Sequence, residues 1–149
     1  VDGIVNRNRL LIRSAILCTL VLCGCELFVI GSAKRSKAPI ERSQRTSAGV
    51  VHVFKAELDS GNTTAATEVM VNASGRPLLA VEKYELADDL VRWRSVMAGV
   101  PISDTEVDTL AEGVHDVTIT LDYIRRMRFT TMRRDNQWWI TKITDLQRR

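Results

Sequence analysis

A change of hydrophobic period divides this chain, and few folds accommodate it. Up to Met97 the apolar residues recur at helical spacing; beyond Pro101 they alternate. Val50, Phe54 and Leu58 lie four apart, with Val51 and Val53 beside them, which predicts one apolar helix face running from Ser47. Gly61 is a natural stop, and Asn62 a natural cap for a second helix from Thr63 to about Val71, with Ala66, Val69 and Met70 inward. Residues 72–77 read as a loop. Leu79, Leu86, Leu90, Trp93 and Met97 then predict a third helix over 78–97, widened by Tyr84, Ala87 and Val91 and closed by Gly99 and Pro101.

The strands follow. Val117, Ile119, Leu121 and Tyr123 alternate with Thr118, Thr120 and Asp122, the mark of a half-buried strand. Met127, Phe129 and Thr131 keep the same odd phase, so 114–133 reads as one long strand, bent near 124–126, where Arg125 would otherwise point inward. Asp135-Asn136 is a turn, and 137–144 the last strand, anchored by Trp138, Ile140 and Ile143. Neighbours on a strand face opposite sides, so one of Trp138 and Trp139 belongs to the core and the other to the opposite face. A shorter strand over 105–110 precedes the turn Ala111-Glu112-Gly113, and the stretch from Ser103 to Glu106 reads as a capping box. Helices first and an antiparallel meander afterwards is an α+β order.

Composition bounds the answer to one domain with appendages. The chain has 149 residues, 45% of them hydrophobic, which excludes a collagen, a low-complexity chain and a multi-domain enzyme. A net charge of +3 hides an asymmetry. Residues 78–122 hold ten acidic and three basic residues, whereas 123–149 hold eight basic and two acidic. An acidic half beside a basic half argues against a nucleic-acid partner. The three cysteines, Cys18, Cys23 and Cys25, all precede residue 26. The later part of the chain therefore has no thiolate ligand and no disulfide. Its histidines, His52 and His115, show no ligand spacing, so neither a metal nor another cofactor is expected.

Arg7, Arg9 and Arg13 precede the apolar run Ala15-Ile16-Leu17-Cys18-Thr19-Leu20-Val21-Leu22, a basic and then apolar leader of signal-peptide length. The run ends in Leu22-Cys23-Gly24-Cys25, which resembles the lipobox of bacterial lipoproteins. That resemblance implies cleavage before Cys25 and acylation, as by palmitate, at Cys25. With Glu26 rather than Asp next, it favours the outer membrane, facing the periplasm, over the inner membrane. Three other readings stand beside it. Residues 10–30 fit a single uncleaved anchor. Gly31-Ser32-Ala33 fits an ordinary signal-peptidase site. A buried core helix is the plainest reading, and the basic flank opposes it. Residues 31–46 are polar and basic without hydrophobic period and read as linker. The organisation expected is a signal peptide over 1–24, a lipid-anchored flexible linker over 25–46, and an α+β domain over 47–149.

The phrase Phe54-Lys55-Ala56-Glu57-Leu58-Asp59-Ser60-Gly61-Asn62 resembles the opening of nuclear-transport-factor-2-like domains, and Arg133-Arg134-Asp135-Asn136-Gln137-Trp138-Trp139-Ile140 resembles their last hairpin. The resemblance covers about residues 47–146. It implies a cone, with N-terminal helices packed on a curved antiparallel sheet and a pocket at the wide end. Enzymes of that family work with an Asp, Tyr or His inside the cone, where burial raises a carboxylate pKa. The residues here of those types are Tyr84, Asp88, Asp89, His115, Asp122 and Tyr123. None of them matches a catalytic motif, so no catalytic residue is assigned.

The densest basic and aromatic group is Arg126, Arg128, Arg133 and Arg134 with Trp139, a candidate surface for phosphate, lipid headgroup or glycan. The plainer alternative has these arginines covering a solvated sheet face and pairing with the acidic helix over 82–89. The function expected is a non-enzymatic, membrane-anchored lipoprotein of the bacterial cell envelope. It would act as a binding or assembly module, attached by its N-terminal lipid and engaging an envelope protein partner. The alternative is an inner-membrane secretion or conjugation component with an uncleaved transmembrane helix. The third reading is a small enzyme of isomerase or cyclase type.

Overall fold

The computed structural model describes residues 39–147. The leader, Cys25 and the first part of the linker lie outside the described residues. Among the described residues no helix is long and apolar enough to cross a membrane. Helices come first and are packed against a four-stranded antiparallel sheet in the order β1-β2-β3-β4. The elements are α1 (Ser47–Ser60), α2 (Thr63–Glu68), α3 (Ala80–Glu85), α4 (Ala87–Met97), β1 (Ile102–Ala111), β2 (Val114–Leu121), β3 (Arg125–Arg134) and β4 (Gln137–Asp145).

The first helix forms where its spacing predicts, and both ends are chemically defined. The Thr46 hydroxyl accepts the Gly49 N–H at 2.9 Å, satisfying one of the orphan donors of the first turn. Gly61 ends the helix with φ 79°, a left-handed conformation that costs glycine little. Val50, Val51, Phe54 and Leu58 are buried. The Phe54 ring meets Trp93 of α4 at 6.1 Å and Phe129 of β3 at 5.9 Å, edge-on in both cases, and so links helices and sheet through one aromatic stack.

The domain begins earlier than its apolar pattern. Trp138 donates its N–H to the Gln44 carbonyl at 2.7 Å, and the Gln44 amide donates back to the Trp138 carbonyl at 3.2 Å. The chain before α1 also passes so close to Gly49 that an added Cβ would lie 2.8 Å from the Glu41 carbonyl oxygen and nearer still to that of Ser43. Residues 39–46 read as linker because they are polar. Backbone bonding to an edge strand holds their latter part in place, and hydropathy does not register backbone bonds.

Four expectations need correction. The second helix stops at Glu68, because Val69 and Val71 bond the backbone of Ile140 and extend the β4 edge instead. The third helix is two, meeting at Leu86, and no residue of α3 is buried. The Glu82 carboxylate accepts the Leu79 N–H at 2.6 Å and Arg76 at 2.7 Å, which ties α3 to the 72–77 loop. Those bonds, the Leu79 one first, hold Glu82 below the ordinary carboxylate pKa. Tyr84 is consequently 82% exposed and Val91 also lies in solvent, whereas Leu90, Trp93 and Met97 are buried as their spacing requires. The long strand over 114–133 is a hairpin, with β2 and β3 joined through Asp122, Tyr123 and Ile124. Asp122 and Tyr123 take φ of 45° and 60°, and Ile124 donates back to Leu121 at 3.0 Å. Arg125, paired with Leu121, opens the returning strand. Finally, the stretch from Ser103 to Glu106 caps no helix, because it belongs to β1. The Ser103 hydroxyl instead accepts the Tyr123 N–H at 2.9 Å and donates to Thr120 at 3.0 Å, bracing that hairpin turn.

The odd positions Val117, Ile119, Leu121, Met127, Phe129 and Thr131 are buried under the helices, as their alternation requires. On β4, Trp138 and Ile140 are buried, and the register shift opposite Thr130 and Thr131 brings Ile143 against Phe129.

Candidate functional site

A cleft of 540 Å³ lies where α4 meets the ends of β3 and β4. It is bounded by Arg92, Trp93 and Val96 from α4, Arg125 and Met127 from β3, and Ile143 and Asp145 from β4. Its floor is apolar: Trp93 and Met127 are core residues, and Val96 and Ile143 pack against that core. Two arginines stand in its walls. Arg92 pairs with Asp89 one helical turn away at 2.8 Å. Arg125 pairs with Asp145 across the strands, in direct guanidinium–carboxylate contact. The hydrogen bond from Arg125 is the largest of the effects that hold the Asp145 carboxyl below its ordinary pKa; partial burial opposes it.

Arg125 reaches Asp145 through its terminal Nη2. Its Nε is buried and has no partner among the described residues. A buried guanidinium N–H without an acceptor carries the full cost of its lost hydration. The residue that looks misplaced in the alternation, an arginine in the apolar phase of a strand, is thus the one that lines the cleft. The sequence signal for Arg125 was that phase. Arg92 and Asp145 carry no signal, because strand register and helix placement bring them together.

A second cleft of 470 Å³ adjoins the first, sharing Trp93 and Ile143. It is bordered by Glu82, Glu85 and Asp89 on the helix side and Lys142 on β4. The polarity of the lining reverses from one cleft to the next.

The residues singled out from the sequence are dispersed. Arg126 and Arg128 lie on the exposed face of β3, where Arg126 pairs with Glu106 at 2.8 Å and Arg128 approaches Asp116 at 3.8 Å. Arg133 donates to Asn136 in the hairpin turn at 3.0 Å. Arg134 donates to the Gly75 carbonyl and lies 3.3 Å from Asp135. Their partners come from the sheet and its neighbouring loops, and not from the acidic helix over 82–89 as the plainer reading had it. The inter-strand ladder places Glu106 and Asp116 beside these arginines, whereas the acidic helix serves the other side of the sheet. Trp139 is half-buried, paired with Met132, and its Nε1 is enclosed without a partner.

Of the six residues of catalytic type, Tyr84, Asp88, Asp122 and Tyr123 are exposed. Asp89 pairs with Arg92 at the border of the second cleft. His115 is half-buried. Its Nδ1 lies 2.9 Å from the Ser47 hydroxyl, and its ring lies on Trp138 at 4.3 Å. Among the described residues no group of His, Cys, Asp and Glu is arranged to hold a metal ion. No protein-family model matches the chain, and no curated protein is similar to it.

Proposed function

We propose that this chain is a membrane-tethered binding module of the bacterial cell envelope, and that the cleft between α4 and the sheet is its ligand site. The reading rests on one observation: Arg92 and Arg125 stand together in the walls of an apolar-floored cleft. An amphiphile with an anionic head satisfies both halves of that surface, the head on the arginines and the apolar part along Trp93, Val96 and Met127. Catalysis has no comparable support, because none of the six candidate acid–base residues lines this cleft. The helices-on-sheet order and the last hairpin are consistent with a nuclear-transport-factor-2-like cone. The tether is proposed from the basic and apolar leader and Leu22-Cys23-Gly24-Cys25, with acylation at Cys25.

Octanoate and octanol, titrated separately into the full chain while Trp fluorescence is followed, test the cleft. Octanoate is expected to bind more tightly than octanol, and Arg125→Gln to weaken it about tenfold, the scale of one charge-assisted bond. Arg128→Gln, on the opposite face, is expected to leave it unchanged. Equal affinity for the alcohol and the acid refutes the role given to the arginines. Intact mass of the native protein tests the tether, since an unlipidated N-terminus refutes acylation at Cys25.

A further inference from the structure

A separate polar cavity of 280 Å³ lies between α1 and the start of β1, with Arg42, His52, Lys55 and Asp59 among its lining residues. Lys55 is only 7% exposed, and its ammonium meets both oxygens of Asp59, at 2.6 and 2.7 Å. The same carboxylate accepts the Gly99 N–H at 2.8 Å. Asp59 is therefore the counter-charge of Lys55. An ammonium carries three donors, and both contacts of Lys55 go to that single carboxylate. Arg42 forms no ion pair among the described residues. The lining of this cavity thus sets two cationic side chains and an imidazole against one carboxylate.

His52 faces the same space. One ring nitrogen, Nε2, lies 3.2 Å from the Thr105 hydroxyl on β1. Arg42 from the segment before α1, and Lys55 and Asp59 from α1 itself, are charged groups of this cavity, and on β1 the acidic Asp104 and Glu106 flank Thr105. Burial lowers its pKa first, and the positive fields of Arg42 and Lys55 lower it further. A field that opposes a proton on His52 favours an anion in the cavity.

We propose that this cavity is a binding site for a small oxyanion, a phosphate or a carboxylate group, held among the Arg42 guanidinium, the Lys55 ammonium and the His52 ring. The site is distinct from the cleft at α4 and does not depend on the reading of that cleft. A bound oxyanion cancels the field on His52, so binding and protonation of His52 reinforce one another.

The chain has only two histidines, which makes the test direct. The full chain in a membrane mimic, carrying ¹³C-labelled histidine, is titrated with sodium phosphate and separately with sodium acetate, at ionic strength matched by chloride. The His52 resonances are expected to shift saturably and its pKa to rise, while His115 stays put. A response to phosphate but not acetate identifies a phosphoryl ligand, and the reverse a carboxylate. Arg42→Gln, at an exposed position before α1, is expected to weaken the response about tenfold without disturbing the fold. The proposal is overturned if neither anion moves His52 saturably, if His52 and His115 move alike, or if the Arg42→Gln variant responds like the parent chain.

Discussion

Trp138 and Trp139 are adjacent in sequence but have different surroundings. Trp138 is 8% exposed and rests on His115 and the Gln44 backbone; Trp139 is half-buried on the opposite face beside Met132. Trp138→Ala is expected to cost about 3–5 kcal/mol, a large fraction of the roughly 5–15 kcal/mol of a typical domain. Trp139→Phe keeps much of the contact and removes an N–H that has no partner, so its expected cost is under about 1 kcal/mol. Denaturant melts of both variants check the inequality, and a larger loss from Trp139→Phe contradicts it. His52 makes a different residue-scale claim. Its folded pKa lies below the ordinary value of 6.5, so as pH falls the unfolded chain takes up the proton first. The stability it contributes is complete above about pH 6.5 and is lost as pH falls through the lowered value. His52→Gln is therefore expected to reduce the drop in stability between pH 7.5 and 5.5. An unchanged drop, measured by urea melts at the two values, contradicts this.

Among the elements, the β2–β3 hairpin is the least expected from local rules. Tight turns with φ above zero at both central positions favour Asn, Asp and Gly. The turn at Asp135 and Asn136 obeys, with φ of 52° and 62°. At Asp122 and Tyr123 a bulky side chain takes φ 60° and is 84% exposed, so little packing offsets the conformational cost. Ser103 compensates in part, because its hydroxyl bonds the Tyr123 N–H from the neighbouring strand. Tyr123→Asn is expected to stabilise the fold by about 0.5–1 kcal/mol, the scale of relieving one left-handed residue. Thermal melts check this, and a loss of stability would show that Tyr123 makes a contact that offsets its strain. With no Gly or Asn at the bend, alternation carries on unbroken through Tyr123, and nothing local separates a bent strand from two paired ones.

At the scale of the whole molecule, residues 39–149 contain a core, its caps and its edge protection without any cysteine. A protein beginning at residue 39 is expected to unfold cooperatively and indifferently to chelator or reductant. A protein beginning at residue 47 lacks the Thr46 cap and both Gln44–Trp138 bonds. Its expected loss is about 2–4 kcal/mol, from one cap and two hydrogen bonds. Equal melting of the two refutes the role given to residues 39–46. Sensitivity of the longer protein to chelator or reductant refutes its independence from metal and disulfide.

What the sequence determined by itself was the order of the elements and the buried face of those that pack on the core. The α+β order, the Gly61 stop, the Asn62 cap and the burial of Phe54, Trp93 and Phe129 all follow from local periodicity and cap chemistry. The tertiary structure decided what depends on distance between segments. It turned residues 69–71 onto β4 and closed the hairpin after Leu121. It also brought Arg125 to Asp145 across twenty residues and placed Arg42, His52 and Lys55 around one cavity. A periodic pattern specifies burial through side chains, one residue at a time. Ion pairs, edge pairing and cavities depend on register and on backbone hydrogen bonds, which leave no periodic mark in the sequence.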